Sequence, residues 1–270
     1  MMNSKIIHGE NVKVLKTLEA NSIDLTVTSP PYDNLRNYNG YSFDFESLKK
    51  ELFRVTKEGG VVVWVVGDAT VKGSETGSSF KQALGFIEEG FRLHDTMIYQ
   101  KDNPPPVGGH NRYYQAFEYM FIFSKGSPKT FNPQKRPRRN KYNDKRTRRF
   151  KAGVRNKDGS FVKKETKINT IVKRENVWRY VVGGGNSTKD KEAFKHPAIF
   201  PEKLALDHIL SWSNEGDLVL DPFCGSGTTL KIAHQSGRRF IGVDISFEYC
   251  EIATRRVFNA EPALFPEGVK

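Results

Sequence analysis

Only two cysteines, Cys224 and Cys250, occur in the 270 residues. They supply neither a disulfide framework nor a spaced metal cluster. Long apolar runs are missing too. The longest, Val61-Val62-Val63-Trp64-Val65-Val66, is far too short to span a bilayer, and Met1 to Val12 holds no stretch suited to a signal peptide. His8, His94 and His110 show no ligand-like grouping, so no metal site is expected. These absences exclude a disulfide-stapled secreted module and a helical membrane protein. A reducing, cytoplasmic setting is the expectation.

Acidic charge is also short. Against 43 Lys and Arg stand 31 Asp and Glu, a formal charge of +12. Between Lys125 and Glu175 there are 19 basic and 4 acidic residues, a net +15, so the remainder carries 24 against 27, or −3. The whole positive excess sits in one internal segment. A concentrated basic block is a footprint for a polyanion; the competing account is a solvated insertion.

Outside that segment the chain has an α/β rhythm. Ser4 to His8 reads as a strand, Val12, Leu15 and Leu18 as one face of a helix, and Ile23, Leu25 and Val27 as a second strand. Phe45 to Val55 predicts a helix stopping at Glu58-Gly59-Gly60. Val61 to Val66 predicts a central strand covered on both faces, and Trp64 and Trp178 are expected in the core. Phe80, Ala83, Leu84 and Ile87 mark a helix closing at Gly90. Strands follow at Leu93 to Gln100 and Tyr119 to Phe123. From Ser127 to Glu175 no core-forming pattern is apparent and a small inserted module is expected. Beyond it, Asn176 to Tyr180 resumes the globular pattern, and Glu202 to Trp212 is a helix with Pro201 where its missing N–H costs little.

Two stretches carry chemistry. In the first, Ser29-Pro30-Pro31-Tyr32 follows the second strand. Neither proline donates to a sheet ladder, so the strand ends in a stiff corner bearing a hydroxyl, a carbonyl and a ring. In the second, the strand Leu218-Val219-Leu220 leads into Asp221-Pro222-Phe223-Cys224-Gly225-Ser226-Gly227-Thr228-Thr229 and a helix. A Gly-x-Gly turn there lets a ligand approach the backbone closely. Asp244 lies 17 positions beyond Gly227, at the end of the next strand, where an acid can hold a ribose. The third glycine of a dinucleotide fingerprint would fall at Leu230, so an adenosyl ligand without a pyrophosphate fits better. Cys224 is read as a packing residue rather than a nucleophile, Asp68 as a strand-end cap, and Gly183 to Gly185 as a loop.

Taken together, Ser29-Pro30-Pro31-Tyr32 and Asp221 to Thr229 resemble the S-adenosylmethionine-dependent DNA amino-methyltransferases, the cytosine-N4/adenine-N6 family. The catalytic tetrapeptide precedes the basic segment and the cofactor motif follows it, which resembles the family's beta-group order. His196 to Leu204 resembles the additional cofactor-side motif, and Tyr119 to Lys125 the strand before the recognition region. The resemblance implies a Rossmann-like methyltransferase fold, a mostly parallel twisted sheet flanked by helices. Residues 1–127 would form its catalytic half, 128–175 a target-recognition insertion and 176–270 its cofactor-binding half. It further implies Glu10, His196, Phe200, Pro201, Asp221, Phe223, Gly225, Ser226, Gly227, Thr228 and Asp244 as the cofactor site. Gly9-Glu10 departs from the family's common Gly-Asp, keeping the charge while reaching one methylene further.

Ser29, Pro30, Pro31 and Tyr32 would act on the exocyclic amine of a base flipped out of double-stranded DNA. The Ser29 hydroxyl and Pro30 carbonyl would accept its hydrogen bonds, and Tyr32 would stack on the ring. Asp33 to Phe45 would be a loop beside the site. Lys135, Arg136, Arg138, Arg139, Arg146, Arg148 and Arg149 would contact DNA. Ser29 in first place favours cytosine-N4 over adenine-N6. The alternatives are a non-catalytic nucleic-acid-binding protein and an RNA substrate. A restriction endonuclease and a second copy of the chain are compatible partners, and a prokaryotic cell or phage-infected host the implied setting.

Overall fold

Strand and helix alternate through the first half of the chain, each helix capped by a residue placed for it. β1 (Lys5–His8) is followed by α1 (Asn11–Lys16), β2 (Ile23–Thr28) by α2 (Phe45–Val55), and β3 (Thr56–Val66) by the small hairpin β4 (Thr70–Val71) and β5 (Ser74–Glu75) and then α3 (Ser78–Glu88). β6 (Arg92–Lys101) and β7 (Phe117–Ser124) complete this half. The insertion holds β8 (Lys135–Pro137), β9 (Arg149–Arg155), β10 (Phe161–Lys167) and β11 (Ile171–Lys173). β12 (Val177–Tyr180), a 3₁₀ segment (Lys191–Lys195), α4 (Glu202–Trp212), β13 (Leu218–Asp221), α5 (Thr228–Gln235), β14 (Arg239–Asp244) and α6 (Phe247–Phe258) follow. This computed structural model describes residues 4–31, 44–104, 106, 111–137, 149–167, 171–183, 185–196 and 199–260.

The described chain divides into two units, the larger from Met1–Asn132 and Asn176–Pro266 and the smaller around Pro133–Glu175. In the larger, eight strands form one sheet in the order β1-β14-β13-β2-β3-β7-β6-β12. β7 runs antiparallel to both its neighbours, and the other pairings are parallel. The expected α/β fold with a mostly parallel sheet is therefore borne out. β13 and β2 lie side by side, yet the next strand after β13 is β14 on one side and after β2 is β3 on the other. The strand order reverses between them, and ligands of open α/β sheets gather outside the carboxyl ends at such a point.

Two buried clusters cover the two faces of the sheet. Val61, Val63 and Val65 of β3 pack with Leu204 and Ile209 of α4 and Leu230 of α5. Val62, Trp64 and Val66 pack with Leu15 of α1, Leu48 and Leu52 of α2 and Phe86 of α3. The uninterrupted apolar run of β3 thus serves both layers, each buried side chain contributing roughly 1.5–3 kcal/mol. Trp64 and Trp178 are buried as expected, and the Trp64 indole N–H donates to Gln82 Oε1 at 2.8 Å.

One boundary differs from the sequence expectation. α2 ends at Val55, and Glu58-Gly59-Gly60 lies inside β3. The glycines absorb an irregular register, since Ile23 pairs with Thr56 while Leu25 already pairs with Val61. Gly59 has φ +78°, and a Cβ on Gly60 would sit 2.8 Å from Thr56 Cγ2. A local distortion inside a strand had the same glycine signature as a helix stop.

The smaller unit holds two antiparallel pairs, β8 with β11 and β9 with β10. Its Lys/Arg density hides a period-2 pattern that local hydrophobicity did not reveal.

Candidate active site

The carboxyl ends of β2 and β13 meet through two buried side chains. The Thr28 hydroxyl donates to Asp221 Oδ1 at 2.6 Å, and the Phe223 N–H donates to the same oxygen at 3.1 Å. A second link runs from the Thr229 hydroxyl to the Val27 carbonyl at 3.3 Å. Thr28 immediately precedes Ser29-Pro30-Pro31, and Asp221 opens the glycine turn, so these bonds hold the two motifs side by side. Pro30 is buried, while Ser29 and Pro31 are half-buried. Tyr32 lies outside the described residues.

Burial pushes the Asp221 carboxyl up to about 6, against the bonds from Thr28, Phe223 and Thr229. Its carboxylate is a strut between strand ends, a use that its place in the motif did not reveal. Burial likewise raises the Cys224 thiol, with Asp244 and Asp221 adding to it, so little thiolate forms and nucleophilic chemistry is disfavoured.

Past Asp221 the backbone turns through Gly225 at φ +48° and Gly227 at φ +79° into α5. Both angles favour glycine. A Cβ on Gly225 would lie 2.8 Å from His196 Nε2, and one on Gly227 would lie 2.6 Å from Ala253 Cβ. On the side where a Cβ would point, the two positions are closed by His196 and Ala253. Packing therefore demands glycine at both.

Asp244, at the end of β14, binds the same turn. Its Oδ2 accepts from the Gly225 N–H at 2.8 Å and its Oδ1 from the Ser246 N–H at 2.9 Å. Burial raises its pKa, offset by these bonds and by His196 and His8. Each carboxylate oxygen has capacity for a further hydrogen bond. Beside it, Gly9 N–H donates to the Asp244 carbonyl at 2.9 Å. Glu10 caps α1, accepting from Val12 N–H at 2.9 Å and Lys13 N–H at 3.2 Å. The His196 ring stands edge-to-face with Tyr249, centroids 4.4 Å apart. Pro201 caps α4, its carbonyl accepting from Leu204 and Ala205, and the half-buried Phe200 packs on the core.

Sequence reasoning missed what supports this turn from behind. Arg256, 3 % exposed on α6, donates through Nη1 to the Ser226 carbonyl and hydroxyl and to the Thr228 hydroxyl. Its Nε reaches Asp190 Oδ2 at 2.8 Å and its Nη2 reaches Glu202 Oε1 at 3.2 Å. Lys231 Nζ joins the same carboxylates, 2.9 Å from Glu202 and 3.5 Å from Asp190. Burial alone would raise Asp190, but Arg256, the Glu192 N–H and Lys231 hold it below its usual value. The available signal was periodicity: Arg256 interrupts the buried stripe Ile252, Ala253, Val257.

Asp68, read as a strand-end cap, caps the start of α3 instead, accepting from the Ser79 N–H at 2.9 Å and the Ser78 hydroxyl at 3.1 Å. Of the proposed DNA contacts, Lys135 and Arg136 lie on β8 and Arg149 opens β9. Arg136 is engaged within the smaller unit, donating through Nε to Glu175 Oε2 at 2.7 Å and through Nη2 to Oε1. Arg138, Arg139, Arg146 and Arg148 lie outside the described residues.

Comparison with known proteins agrees with this architecture. The family described as DNA methylase matches residues 23–255. An orphan methyltransferase, M.BamHII of Bacillus amyloliquefaciens, is 62 % identical over 240 residues, 88 % of this chain and 89 % of that protein. The type II methyltransferase M.HpaI of Haemophilus parainfluenzae is 32 % identical over 274 residues, 95 % of this chain and 74 % of that one. Among solved structures, the cytosine-N4-specific PvuII DNA methyltransferase superposes with a TM-score of 0.67 at 20 % identity, covering 100 % of this chain and 89 % of the other. A DNA modification methylase of Thermus thermophilus, solved with S-adenosyl-L-methionine, gives 0.66 at 23 % identity, covering 97 % and 96 %.

Proposed function

The chain belongs to the DNA methylase family, and on that premise we propose that it methylates the exocyclic amine of a base flipped out of duplex DNA, cytosine N4 ahead of adenine N6. The observation that carries this reading is the Thr28–Asp221 bond, which joins the Ser29-Pro30-Pro31 corner to the glycine turn at the sheet's reversal point. In this reading residues 1–127 supply the catalytic half, 176–270 the cofactor half and 128–175 target recognition.

The residues present fit S-adenosylmethionine, which supplies an electrophilic methyl group when bound. Asp244 has acceptor capacity for ribose hydroxyls, and the buried turn Gly225-Ser226-Gly227 is rigidly held beside it. Phe223 and His196 offer aromatic surface, and Phe200, Pro201 and Thr228 complete the cofactor side. Glu10 and Asp221 take part through the loops they brace.

At the corner, the Ser29 hydroxyl and the Pro30 carbonyl accept hydrogen bonds from the target amino group. They draw its lone pair out of conjugation with the ring and aim it at the donor. The nitrogen forms a bond to carbon as the carbon–sulfur bond breaks, and the spent amine proton passes to solvent. Tyr32 stacks on the base, offsetting part of the few kcal/mol that extrusion costs. No covalent enzyme–base bond is required.

Tritiated methyl transfer to mixed-sequence DNA, with mass spectrometry of the nucleosides, tests the reading and identifies the base. N4-methylcytosine is the expected product. Folded protein with cofactor and no methylated base would overturn the proposal in favour of a non-catalytic DNA-binding protein, and preference for structured RNA in competition would change the substrate. Ser29→Ala should lower kcat by about 10- to 100-fold, the loss of one poised hydrogen bond, while leaving cofactor affinity near wild type in calorimetry.

A second copy of the chain is the partner that α3 favours. Phe80, Leu84 and Ile87 are 50 %, 60 % and 42 % exposed along one helical stripe. Leu84→Glu should convert a dimer to a monomer in sedimentation velocity; a monomeric wild type would remove the partner. The relative named an orphan methyltransferase favours a solitary enzyme over one paired with a restriction endonuclease.

A further inference from the structure

The register of β9 against β10 sorts the charge of the inserted unit onto one face. Successive residues of a strand alternate between faces, and directly paired residues share one. Arg149 pairs with Lys167, Lys151 with Glu165, Gly153 with Lys163 and Arg155 with Phe161. That face carries five basic positions and one acidic. The other holds Phe150, Ala152 and Val154 opposite Thr166, Lys164 and Val162, with a single basic position. Composition alone showed a basic block; the pairing shows a two-sided ribbon.

Its tip is well built. The Asn156 N–H donates to the Ser160 carbonyl at 2.8 Å and the Gly159 N–H to the Asn156 carbonyl at 3.0 Å. Asp158 Oδ1 accepts from the Ser160 N–H and hydroxyl at 2.9 and 2.7 Å. Beside this turn Phe161 is 71 % exposed, with the Arg155 guanidinium over its ring at 5.8 Å. An exposed aromatic ring braced against an arginine is an unusual end for a hairpin that is merely solvated.

We infer that the β9–β10 ribbon enters the major groove of duplex DNA on its basic face, tip first, with Arg155 and Phe161 reading base edges. The inference rests on the DNA-methylating reading above. The major groove of B-form DNA, about 12 Å wide, admits a two-stranded ribbon, whereas that of A-form RNA is too narrow and deep. Arg155 presents a donor pair to guanine O6 and N7, and Phe161 presents an apolar surface to a thymine methyl. Arg149, Lys151, Lys163 and Lys167 meet phosphates along the groove walls.

The test uses the full chain, with each variant's melting curve checking that it folds. Duplex affinity is followed by anisotropy on mixed-sequence DNA across a salt series, and methylated sites are mapped by single-molecule sequencing. Lys163→Ala should weaken duplex binding several-fold and reduce the salt slope by about one, while Arg155→Ala should weaken binding and relax the base preference of the methylated sites. Lys164→Ala, on the opposite face, should leave affinity and slope unchanged. Phe161→Ala should widen the set of methylated sequences. Equal losses from Lys163→Ala and Lys164→Ala, or an unchanged site preference in Phe161→Ala, would overturn the ribbon assignment. So would a wild-type salt slope for Lys163→Ala in an enzyme that still methylates DNA. A wild type that methylates no DNA at all would instead overturn the reading beneath it.

Discussion

Asp221 shows how a single side chain can be written into a motif for one reason and used for another. Its folded-state pKa is raised from 3.8 to about 6, first by burial. The native state therefore holds this proton more tightly than the unfolded chain. The associated stability is fully present below about pH 4 and is lost as the pH rises through about 6. Two pH units correspond to roughly 3 kcal/mol. Asp221→Asn keeps an acceptor for the Thr28 hydroxyl and the Phe223 N–H without the charge. Its unfolding free energy, from urea titrations between pH 4.5 and 7.5, should lack this decline and exceed that of the wild type near neutrality. A parallel pH profile in both proteins would show that Asp221 is not the group responsible.

Gly227 makes the complementary point about space. At φ +79° with Ala253 Cβ 2.6 Å from the position of a new Cβ, Gly227→Ala combines left-handed strain of about 1–2 kcal/mol with overpacking of about 1–3 kcal/mol. A drop of that combined size in urea unfolding, with weakened cofactor binding in calorimetry, is the expected outcome. The sequence pointed to the correct residue, but the clash that requires it involves an α6 side chain 26 positions away, which no local pattern reveals.

At the scale of elements, α6 is more than a cover for β14. Arg256 carries three backbone or hydroxyl contacts of the glycine turn and two half-buried carboxylates, Asp190 and Glu202. Arg256→Met should cost roughly 1–3 kcal/mol in chemical unfolding, since it leaves the buried Ser226 and Thr228 oxygens short of a donor while Lys231 still faces the two carboxylates. Arg256→Lys should recover little, because a point charge cannot bridge the same forked set. Strands β1, β2, β3 and β13 were legible from alternation and apolar runs, because burial on one or both faces imposes those patterns directly. The end of α2 was misread, because Gly59-Gly60 serves an irregular strand. Strands β9 and β10 were invisible because their alternation is between basic and mixed residues rather than between apolar and polar ones, and β8 and β11, three residues each, are too short to show a period.

The molecule as a whole keeps its charge partitioned, +15 in the segment from Lys125 to Glu175 against −3 elsewhere. DNA affinity should accordingly fall steeply and linearly on a log–log salt plot. A flat response would mean that the block is solvated and takes no phosphate. The amino-acid sequence by itself determined the α/β class, the two motifs at strand ends and the position of the basic insertion, since each follows from local periodicity, from Pro and Gly backbone limits, or from composition. The tertiary structure alone decided the rest. It made Asp221 a strut to Thr28, set Arg256 behind the glycine turn, and gave the insertion two unlike faces. Those are properties of pairs of residues far apart in the chain, and only strand order and register bring such pairs together.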